Sequence, residues 1–506
     1  MSILNKQRIF ITGASGGMGG ATLQALLAEK ERPEIVILSL DTERDREVLA
    51  PYEKTDGLSI RWGDLTNYSD VLECVRGADI VLHIGALVSP VADYKPKAAM
   101  TVNYGSTVNI IKAIKELGQG DSTKLVYIGT VAETGDRMPP IQWGRVGDPL
   151  KPSVFDYYAV SKIAAERAVI ESGLKYWVSL RQTGILAKKM SEVNDAIMFH
   201  GALDNALEYV SERDSATLMR NLCRGTPDDF WGHIYNIGGG ESCRISTYEL
   251  FTDLFGRIGI KDLSTALDSK WFATKNFHGQ YYLDSDKLEK MFHFRSDSME
   301  YYYAIYLKNL GATAPLSRII TKLPFGQRLI GGAMKKRFLA LARTEHGTIR
   351  FVEEGMEDHI AAYFGSREAW EDIQPFAKIQ HFKDWDKVIP IDHGYDEARP
   401  ESVLTLEDVK GAAKFRGGSC ESEAMAKGDW TTKLKFCCAF GHAFEASPRL
   451  VLEGGHWCSV CERESWNYHN IAKINPFFAQ VWYPLHDKSE RPMTYKKIVS
   501  ELDVEP

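Results

Sequence analysis

The sequence predicts an α/β fold built on a doubly wound parallel sheet, followed by a mixed C-terminal extension. Three observations predict it. Short apolar runs typical of buried strands alternate with amphipathic helical patterns. A glycine-rich turn joins the first strand to the first helix, and five of the eight cysteines fall within the last ninety residues or so.

Length and charge limit the broad class of the protein. A chain of 506 residues with 44% hydrophobic residues can bury a large core and predicts two or three domains. A net charge of -7 gives no general attraction for nucleic acid, so no nucleic-acid partner is expected. The chain enters a strand-like run directly after Gln7, which leaves no room for a signal peptide, and no apolar stretch is long enough to span a membrane. We expect a soluble, cytoplasmic protein.

The first strand and the turn after it predict a phosphate-binding site. Residues 8–12 form a short apolar run, and Gly13, Gly16 and Gly19 follow at intervals of three before the helical pattern of residues 21–27. A glycine-rich turn between a strand and a helix lets backbone amides approach a pyrophosphate. The spacing differs from the G-x-G-x-x-G of ordinary dinucleotide folds.

The end of the second strand bears on the choice of dinucleotide. The strand of residues 35–40 ends at Asp41, where a carboxylate can accept hydrogen bonds from the adenosine ribose. This favours NAD. NADP stays possible, because Ser39 could occupy the strand-end position and Arg44 or Arg46 could then receive a 2'-phosphate.

The most informative stretch runs from Asp156 to Lys162 and opens a helix. Tyr158 and Lys162 are four residues apart, so on a helix their side chains lie on one face with the ammonium close to the phenol. A nearby cation favours the ionised form of a phenol. The pair therefore predicts an acid/base group, although Tyr-x-x-x-Lys alone also fits an ordinary amphipathic helix.

These pieces together resemble an extended short-chain dehydrogenase/reductase of the NAD-dependent epimerase/dehydratase group, over about residues 7–300. The matching motifs, in chain order, are Gly13-x-x-Gly16-x-x-Gly19, Gly63-Asp64-Leu65-Thr66, His83-Ile84-Gly85-Ala86, Asn103, Thr130 and Tyr158-x-x-x-Lys162. The resemblance implies a Rossmann-type cofactor domain and a small substrate-binding part that starts at about residue 184.

The resemblance also implies roles for single residues. Tyr158 would be the acid/base, Thr130 would hydrogen-bond the reacting oxygen, and Lys162 would bind the nicotinamide ribose. Asp64 and Leu65 would hold adenine. The full implied cofactor-binding set is Gly13, Ser15, Gly16, Met18, Gly19, Asp41, Asp64, Leu65, Ala86, Asn103, Tyr158, Lys162, Gln182 and Thr183. Many members dimerise through the tyrosine helix and its neighbour, so a homodimer is expected.

Departures from the family pattern narrow the chemistry. Sugar-nucleotide 4,6-dehydratases carry an acidic pair after the threonine, whereas here Val131 and Ala132 follow Thr130 and Glu133 comes one place later. Dehydration is therefore disfavoured. Arg213 and Arg244 are candidates in the region that carries diphosphate-binding residues in sugar-nucleotide enzymes, although we prefer a surface salt bridge as the role of each.

The segment from Leu316 to Arg343 carries seven basic residues and no acidic one, interleaved with apolar residues. Such a segment can lie on a membrane surface, clasp an anionic substrate or pack a cationic face against the rest of the protein. We prefer the packed face, and peripheral membrane contact stays possible. With the aromatic-rich second half, this segment would suit a bulky, lipid-like or anionic substrate. Residues 350–425 indicate no chemistry.

The clustered cysteines predict a zinc site. Cys458-x-x-Cys461 forms a knuckle, and Cys438 and His442 supply two further ligands of a Cys3His set, with Cys437 or His456 as substitutes for one of them. The stretch resembles small bacterial zinc ribbons written C-x-x-G-H-x-[FW]-x-x-S-P…C-P-x-C. Four protein ligands leave no open position for water, so the zinc is expected to be structural.

The sequence thus predicts a cofactor and substrate part over residues 1–300, a helical or irregular extension over 301–425 and a zinc-ribbon-like module over 426–506. The preferred hypothesis is an NAD(P)-dependent oxidoreductase that interconverts a secondary alcohol and a ketone as its small-molecule substrate. A (nucleotide-)sugar epimerase on the same scaffold is the alternative. A non-enzymatic protein that senses the cofactor or binds nucleic acid through the ribbon is a third possibility.

Overall fold

The computed structural model describes residues 7–186 and 195–488, together with Glu490, Met493 and Tyr495. Residues 1–6, where the expectation about a signal peptide begins, lie outside this part. The elements up to residue 186 are β1 (Arg8–Thr12), α1 (Gly17–Leu27), β2 (Glu34–Ser39), α2 (Glu43–Leu49), β3 (Leu58–Trp62), α3 (Tyr68–Val75), β4 (Ile80–His83), α4 (Val91–Tyr94), α5 (Pro96–Ala99), α6 (Ser106–Glu116), β5 (Lys124–Thr130), β6 (Trp143–Gly144), α7 (Tyr157–Ile170), β7 (Tyr176–Gln182) and β8 (Ile185–Leu186).

The remaining elements fall into two groups. Those that continue the first half of the chain are β9 (Ala206–Glu208), β10 (Val210–Ser211), α8 (Glu212–Arg224), β11 (His233–Ile237), β12 (Arg244–Ser246), α9 (Thr247–Arg257), β13 (Tyr281–Tyr282), α10 (Asp286–Phe292) and α11 (Met299–Leu310). Those of the C-terminal extension are α12 (Thr313–Ile320), α13 (Gly326–Ala342), α14 (Thr348–Glu353), α15 (Glu357–Phe364), α16 (Arg367–Glu371), α17 (Leu406–Phe415), β14 (Ser419–Cys420), β15 (Leu434–Cys437), β16 (Ala443–Ala446), α18 (Tyr468–Ile474) and α19 (Pro476–Trp482).

Seven strands form one parallel sheet in the order β11-β7-β5-β4-β1-β2-β3. Alternate residues of β1 enter different cores: Ile9 and Ile11 pack with Leu23 of α1 and Leu218 of α8, whereas Phe10 packs with α3, α6 and α7. Helices therefore cover both faces of the sheet, as a doubly wound fold requires. The predicted fold class is confirmed.

The strand register brings the carboxyl ends of the central strands to one edge. Thr12 of β1 pairs with His83 of β4, and Thr130 of β5 pairs with Gln182 of β7. The residues that follow these strands start the loops at this edge, where ligands bind in open α/β sheets.

The C-terminal extension shares a hydrophobic core with the first half. One buried cluster joins Tyr157 and Val160 of α7 to Phe364 of α15, Phe436 of β15 and Leu450. Strands β14, β15 and β16 form a separate three-stranded antiparallel sheet. The extension is therefore built onto the sheet domain and is not joined to it by a linker alone.

Among the described residues, none of the helices combines the length and the apolarity needed to cross a membrane.

Candidate functional site

The glycine turn after β1 is shaped by close backbone contacts. Gly13 has a φ of +72°. A Cβ at Gly13 would lie 2.6 Å from the Gly85 Cα, and one at Gly19 would lie 2.1 Å from the Gly13 carbonyl oxygen. Gly16 is the N-cap of α1 and provides no side chain to cap the helix. The amides of the first turn can therefore donate to a phosphate. Of the other predicted turn residues, Ser15 is half-buried and Met18 is buried.

The carboxylate of Asp41, just past β2, is exposed and pairs with the guanidinium of Arg46. That hydrogen bond holds the pKa of Asp41 below its ordinary value. Arg46 also lies over the Trp62 ring, with 4.6 Å between the guanidinium carbon and the ring centroid. The Asp41 carboxylate, which could accept hydrogen bonds from a ribose, thus lies beside the Arg46 guanidinium, which could bind a 2'-phosphate.

The predicted adenine residues follow β3. The Asp64 side chain is exposed and accepts the Thr66 amide at 2.8 Å, while Leu65 is half-buried. Ala86, just beyond β4, is also half-buried. These residues lie at the same sheet edge as the glycine turn.

Asn103 links the β4 loop to the tyrosine helix. Its Nδ2 donates to the Leu87 carbonyl at 2.9 Å and to the Ser161 hydroxyl at 2.8 Å, and its Oδ1 accepts the Leu87 amide at 2.7 Å. Asn103 is 1% exposed. It therefore fixes the loop that carries Ala86 against α7.

Helix α7 presents Tyr158 to Thr130 at the end of β5. The helix begins at Tyr157 because the Asp156 carboxylate caps it and accepts the Ala159 amide at 2.8 Å. Burial raises the pKa of the Tyr158 phenol, while a hydrogen bond from the Thr130 side chain favours the phenolate. The structure thus places the two predicted catalytic residues Thr130 and Tyr158 near each other.

The Lys162 ammonium lies 4.1 Å from the centroid of the Tyr127 ring, inside the fold. Burial lowers the pKa of Lys162 to about 8, against the attraction of the Glu133 and Glu166 carboxyls. The sequence argument placed this ammonium beside the phenol alone. The structure adds an aromatic ring and two acidic side chains to its surroundings.

Sequence reasoning missed a buried charged cluster next to Lys162. An Arg181 nitrogen lies 2.5 Å from a Glu166 oxygen and another lies 3.2 Å from Glu133, while His456 Nε2 lies 3.0 Å from Glu166. Burial and then the charge of Glu166 raise the pKa of Glu133 well above its ordinary value. Burial disfavours the Glu166 carboxylate, but the charges and hydrogen bonds of Arg181 and His456 together outweigh burial and hold the pKa of Glu166 low.

Glu133, the acidic residue that follows Thr130 by three positions, belongs to this buried cluster. Glu133 is fully buried, accepts the Thr130 amide at 3.0 Å and faces Arg181. The Glu133 carboxyl is therefore engaged inside the fold, and the absence of dehydration stays a prediction.

Gln182 is the last residue of β7, and Thr183 follows it next to β11. The Ser215 hydroxyl donates to Gln182 Oε1 at 3.2 Å, and the Thr183 amide donates to the Ile237 carbonyl at 3.4 Å. Both predicted cofactor residues are buried in this position.

A cavity of about 370 Å³ opens beside the start of α7. Asp93 and Asp156 both line it, and Asp93 accepts the Tyr158 amide at 3.0 Å. Burial, followed by the charge of Asp156, raises the pKa of Asp93 to about 8. Asp93 is therefore protonated at neutral pH and can donate a hydrogen bond within this cavity.

The far wall of the cavity comes from the extension, where the sequence indicated no chemistry. His346, Phe351, His359 and Tyr363 line it together with His200. Burial lowers the pKa of both His200 and His359 to about 4, so both imidazoles are neutral at pH 7. Aromatic rings, neutral imidazoles and carboxyl groups thus surround the space. Among the lining residues of the described chain there is no lysine or arginine.

The four predicted metal ligands converge. His442 Nδ1 lies 3.4 Å from Cys438 Sγ, 3.5 Å from Cys458 Sγ and 3.6 Å from Cys461 Sγ, and the sulfurs of Cys438 and Cys461 are 3.9 Å apart. A tetrahedral zinc with bonds of ~2.3 Å to sulfur and ~2.0 Å to nitrogen separates its ligands by about 3.5–3.8 Å. The donor set therefore fits zinc.

The two substitute ligands lie elsewhere. The Cys437 thiol points to the Cys438 carbonyl, 3.6 Å away, and His456 contacts Glu166. A second group, His233 with Glu401 and Glu453, also comes together, but Arg449 pairs with both of its carboxylates. That group is therefore an ion-pair network.

Both candidate diphosphate residues form salt bridges. Arg213 pairs with Asp297, and Arg244 Nε lies 2.8 Å from Glu208 Oε2. Arg244 also lies over the Trp143 ring, 4.9 Å from its centroid. The structure thus favours the salt-bridge interpretation for both arginines.

The comparison with family models covers the part of the chain that holds the glycine turn, Thr130, Tyr158 and Lys162. Residues 9–238 match the model described as the NAD dependent epimerase/dehydratase family. This match covers less than half of the chain and includes the glycine turn, Thr130, Tyr158 and Lys162.

The proteins that this chain resembles are named for different reactions. The 3 beta-hydroxysteroid dehydrogenase/Delta 5-->4-isomerase of Vaccinia virus (strain Copenhagen) is 26% identical over 39% of this chain and 60% of its own length. The UDP-glucose 4-epimerase of Rickettsia akari is 31% identical over 21% of this chain and 32% of its own length. The chain thus spans less than two thirds of either relative. A solved dTDP-glucose 4,6-dehydratase from Streptomyces venezuelae with NAD bound has a TM-score of 0.48 and 20% identity, over 61% of this chain and 99% of that one.

The outer side of α7, the helix expected from the sequence to form a dimer interface, contacts the C-terminal extension. Arg167 of α7 donates to the Trp457 carbonyl at 2.7 Å and pairs with Glu462 at 2.7 Å. One turn later, Glu171 accepts the Ser447 hydroxyl at 2.7 Å. The cysteine-containing module therefore packs on the outer side of the tyrosine helix.

Proposed function

We propose that this protein is an NAD(P)-dependent oxidoreductase that interconverts a secondary alcohol and a ketone. The observation that carries the proposal is the placement of Thr130 at the end of β5 and Tyr158 in the first turn of α7, close enough for the Thr130 side chain to favour the phenolate. Both residues lie within the family-matched part of the chain, at the sheet edge that also holds the glycine turn.

Each side chain of the proposed site has a separate role in the reaction. A bound nicotinamide supplies the hydride acceptor or donor at C4. In the oxidation, the Tyr158 oxygen takes the proton of the substrate hydroxyl, and Thr130 orients that hydroxyl. Lys162 lies one helical turn after Tyr158 on α7, and burial lowers the pKa of its ammonium to about 8. We propose that the charged ammonium favours the phenolate when cofactor and substrate are bound. Asn103 keeps the Ala86 loop in place beside them.

The cavity beside α7 favours a neutral, ring-shaped substrate. Aromatic faces such as those of Phe155, Phe351 and Tyr363 suit a flat apolar body. A nucleotide diphosphate needs cations, whereas the described lining carries the carboxyl groups of Asp93, Asp156 and Asp358. We therefore propose a neutral cyclic alcohol or ketone, of which a hydroxysteroid is one example, in preference to a nucleotide sugar or another anion.

Turnover with a panel of substrates tests this function. Neutral cyclic alcohols, including 3β-hydroxysteroids, and nucleotide sugars are each incubated with NAD⁺ or NADP⁺ while the absorbance of reduced nicotinamide is followed. We expect reduced cofactor in proportion to ketone with a neutral alcohol. Conversion of a nucleotide sugar to its epimer with no net change in added cofactor would instead establish an epimerase. Salt-sensitive binding of nucleic acid without any turnover would support the third, non-enzymatic possibility.

The pairing of Asp41 with Arg46 predicts how the dinucleotide is selected. The Asp41 carboxylate repels a 2'-phosphate, so the wild-type protein should prefer NAD. In Asp41→Ser, Arg46 is released from its partner and can meet the 2'-phosphate. We therefore expect the ratio of the Kd values to shift towards NADP by about tenfold. Titration of both dinucleotides measures the ratio. Asp41→Ser combined with Arg46→Gln should lose the gain, and an unchanged ratio in Asp41→Ser would exclude this position as the selector.

We propose that Cys438, His442, Cys458 and Cys461 hold a structural zinc that keeps the C-terminal module folded against α7. Metal analysis of the purified chain should give one zinc per molecule. Cys458→Ser and His442→Gln should lose it, because each removes one of four ligands. Cys437→Ser is the matched control, since the neighbouring thiol points away from the site, and it should retain the metal. Equal zinc content in Cys437→Ser and Cys458→Ser would contradict the assignment.

The homodimer and the cytoplasmic location stay predictions. A dimer formed through the outer side of α7 would require the surface that Trp457 and Glu462 now cover. If the protein is dimeric, we propose that it uses another surface.

A further inference from the structure

The segment from the middle of α12 to the first turn of α13 exposes a group of large apolar side chains. Leu316, Ile319, Leu323, Phe325 and Leu329 are 56%, 62%, 58%, 77% and 68% exposed. Large apolar side chains that are exposed singly are common, but five within fourteen residues form an apolar surface that water disfavours. We call these five residues the apolar tip.

The turn at this segment holds its most exposed residue outward. Phe325 has a φ of +65°, a conformation that costs free energy for a residue with a Cβ. Gly326 opens α13, and a Cβ there would lie only 1.8 Å from the Ile320 carbonyl oxygen. The close contact at Gly326 therefore fixes the turn and leaves the Phe325 ring in solvent.

Basic residues surround the apolar tip. An open cavity of about 600 Å³ between α9 and α12 is lined by four cationic residues, Arg257, Lys261, Arg318 and Lys322, and also by Thr321 and Gln327. Arg318 and Lys322 belong to the same stretch as the apolar tip. Arg257 is partly neutralised by Glu300, 2.6 Å away. In sequence, no acidic residue occurs from Leu316 to Arg343.

The structure corrects the preferred interpretation of this basic segment. Lys335 donates to the Ser264 carbonyl at 3.2 Å and Arg343 pairs with Glu353, so part of the segment does pack on the protein. The apolar tip, however, faces outward, and it would have been buried if the segment were only a packed cationic face.

We propose that the apolar tip and the four-cation cavity form a docking surface for an anionic phospholipid bilayer. The five apolar side chains would enter the interfacial layer, and the cations would meet lipid phosphates. A free phosphate would account for the cavity but not for the apolar tip. A second copy of this chain in a symmetric dimer would place the same cations against each other, which is unfavourable. This proposal is independent of the oxidoreductase function.

Vesicle flotation of the full chain tests the proposal. Vesicles of phosphatidylcholine alone are compared with vesicles that also contain phosphatidylglycerol, at low and high salt. We expect at least tenfold stronger binding to the anionic vesicles at low salt, and weaker binding at high salt. Equal binding to both vesicle types, or no binding to either, would overturn the proposal.

Variants separate lipid docking from loss of folding. Phe325→Gly with Leu329→Ser should reduce binding to anionic vesicles at least tenfold, while the melting temperature does not fall because glycine adopts the positive φ freely. Lys261→Glu with Lys322→Glu should also reduce binding to anionic vesicles at least tenfold, because the new carboxylates repel the lipid phosphates. The matched controls are Val388→Ser with Ile389→Ser, which replaces exposed apolar residues elsewhere, and Lys30→Glu with Lys54→Glu. Both controls should bind as the wild type does.

Two outcomes contradict the proposal even if the wild type binds vesicles. One is undiminished binding by Phe325→Gly with Leu329→Ser. The other is a concentration-dependent dimer, seen by analytical ultracentrifugation, that this double variant abolishes. The latter would show that the apolar tip is covered by a second copy.

Discussion

Replacement of Tyr158 by phenylalanine is expected to lower kcat by about 10²- to 10⁴-fold, the usual contribution of a positioned acid/base group. The variant removes one oxygen, which is the atom that exchanges the substrate proton and receives the Thr130 hydrogen bond. Steady-state kinetics with the alcohol identified by the substrate panel measures the loss.

The effect should be confined to the chemical step. Phenylalanine preserves the ring, and the glycine turn is untouched, so the melting temperature and the Kd for the dinucleotide should stay close to those of the wild type. Thr130→Val should also lower kcat, but by a smaller factor. The Thr130 hydroxyl orients the substrate hydroxyl, whereas Tyr158 accepts the proton. A Tyr158→Phe variant that retains the wild-type kcat would remove Tyr158 from the mechanism.

Replacement of Arg181 by methionine is expected to destabilise the fold by about 3–5 kcal/mol, the cost typical of breaking a buried ion pair. Arg181 is 1% exposed and lies against both Glu133 and Glu166. Its loss leaves the buried Glu166 carboxylate without its ion-pair partner, beside the Ser179 hydroxyl, His456 and the more distant charge of Lys162. Arg181 also donates to the Gly454 carbonyl at 2.7 Å. The loss should therefore loosen the C-terminal module as well.

Urea unfolding of the two proteins measures this difference. Arg343→Met is the matched control, because Arg343 pairs with Glu353 on the surface and such pairs contribute about 0–1 kcal/mol. If both variants lose the same small amount of stability, the buried cluster does not hold the module to the sheet domain.

The parts of the fold that the sequence predicted are those encoded by short-range patterns. Residues 8–12 and 125–130 read as strands because continuous apolar runs are typical of strands buried on both faces. The start of α7 could be predicted because Asp156 and the apolar run after it are adjacent in sequence. The four metal ligands come as two close pairs, so their convergence required only that two loops meet.

The missed residues are brought together only by tertiary contacts. Asp93, His200 and His359 line one cavity, yet more than 260 residues separate the first from the last. Glu166 and His456 meet across 290 residues. No local pattern marks such residues, because each sits singly in a stretch of ordinary composition. The exposure of the apolar tip to solvent was missed for the same reason. The periodicity of a sequence indicates that a helix has an apolar face, but it does not indicate which part of the protein covers that face.

Transfer of deuterium to the cofactor tests the central claim most directly. A neutral cyclic alcohol deuterated at the carbinol carbon is incubated with the protein and NAD⁺, and mass spectrometry of the dinucleotide follows the label. The account predicts one deuterium on the nicotinamide for each ketone formed, at a rate that falls about 10²- to 10⁴-fold in Tyr158→Phe. Ketone formed without labelled nicotinamide, or the same transfer rate in Tyr158→Phe, would contradict it.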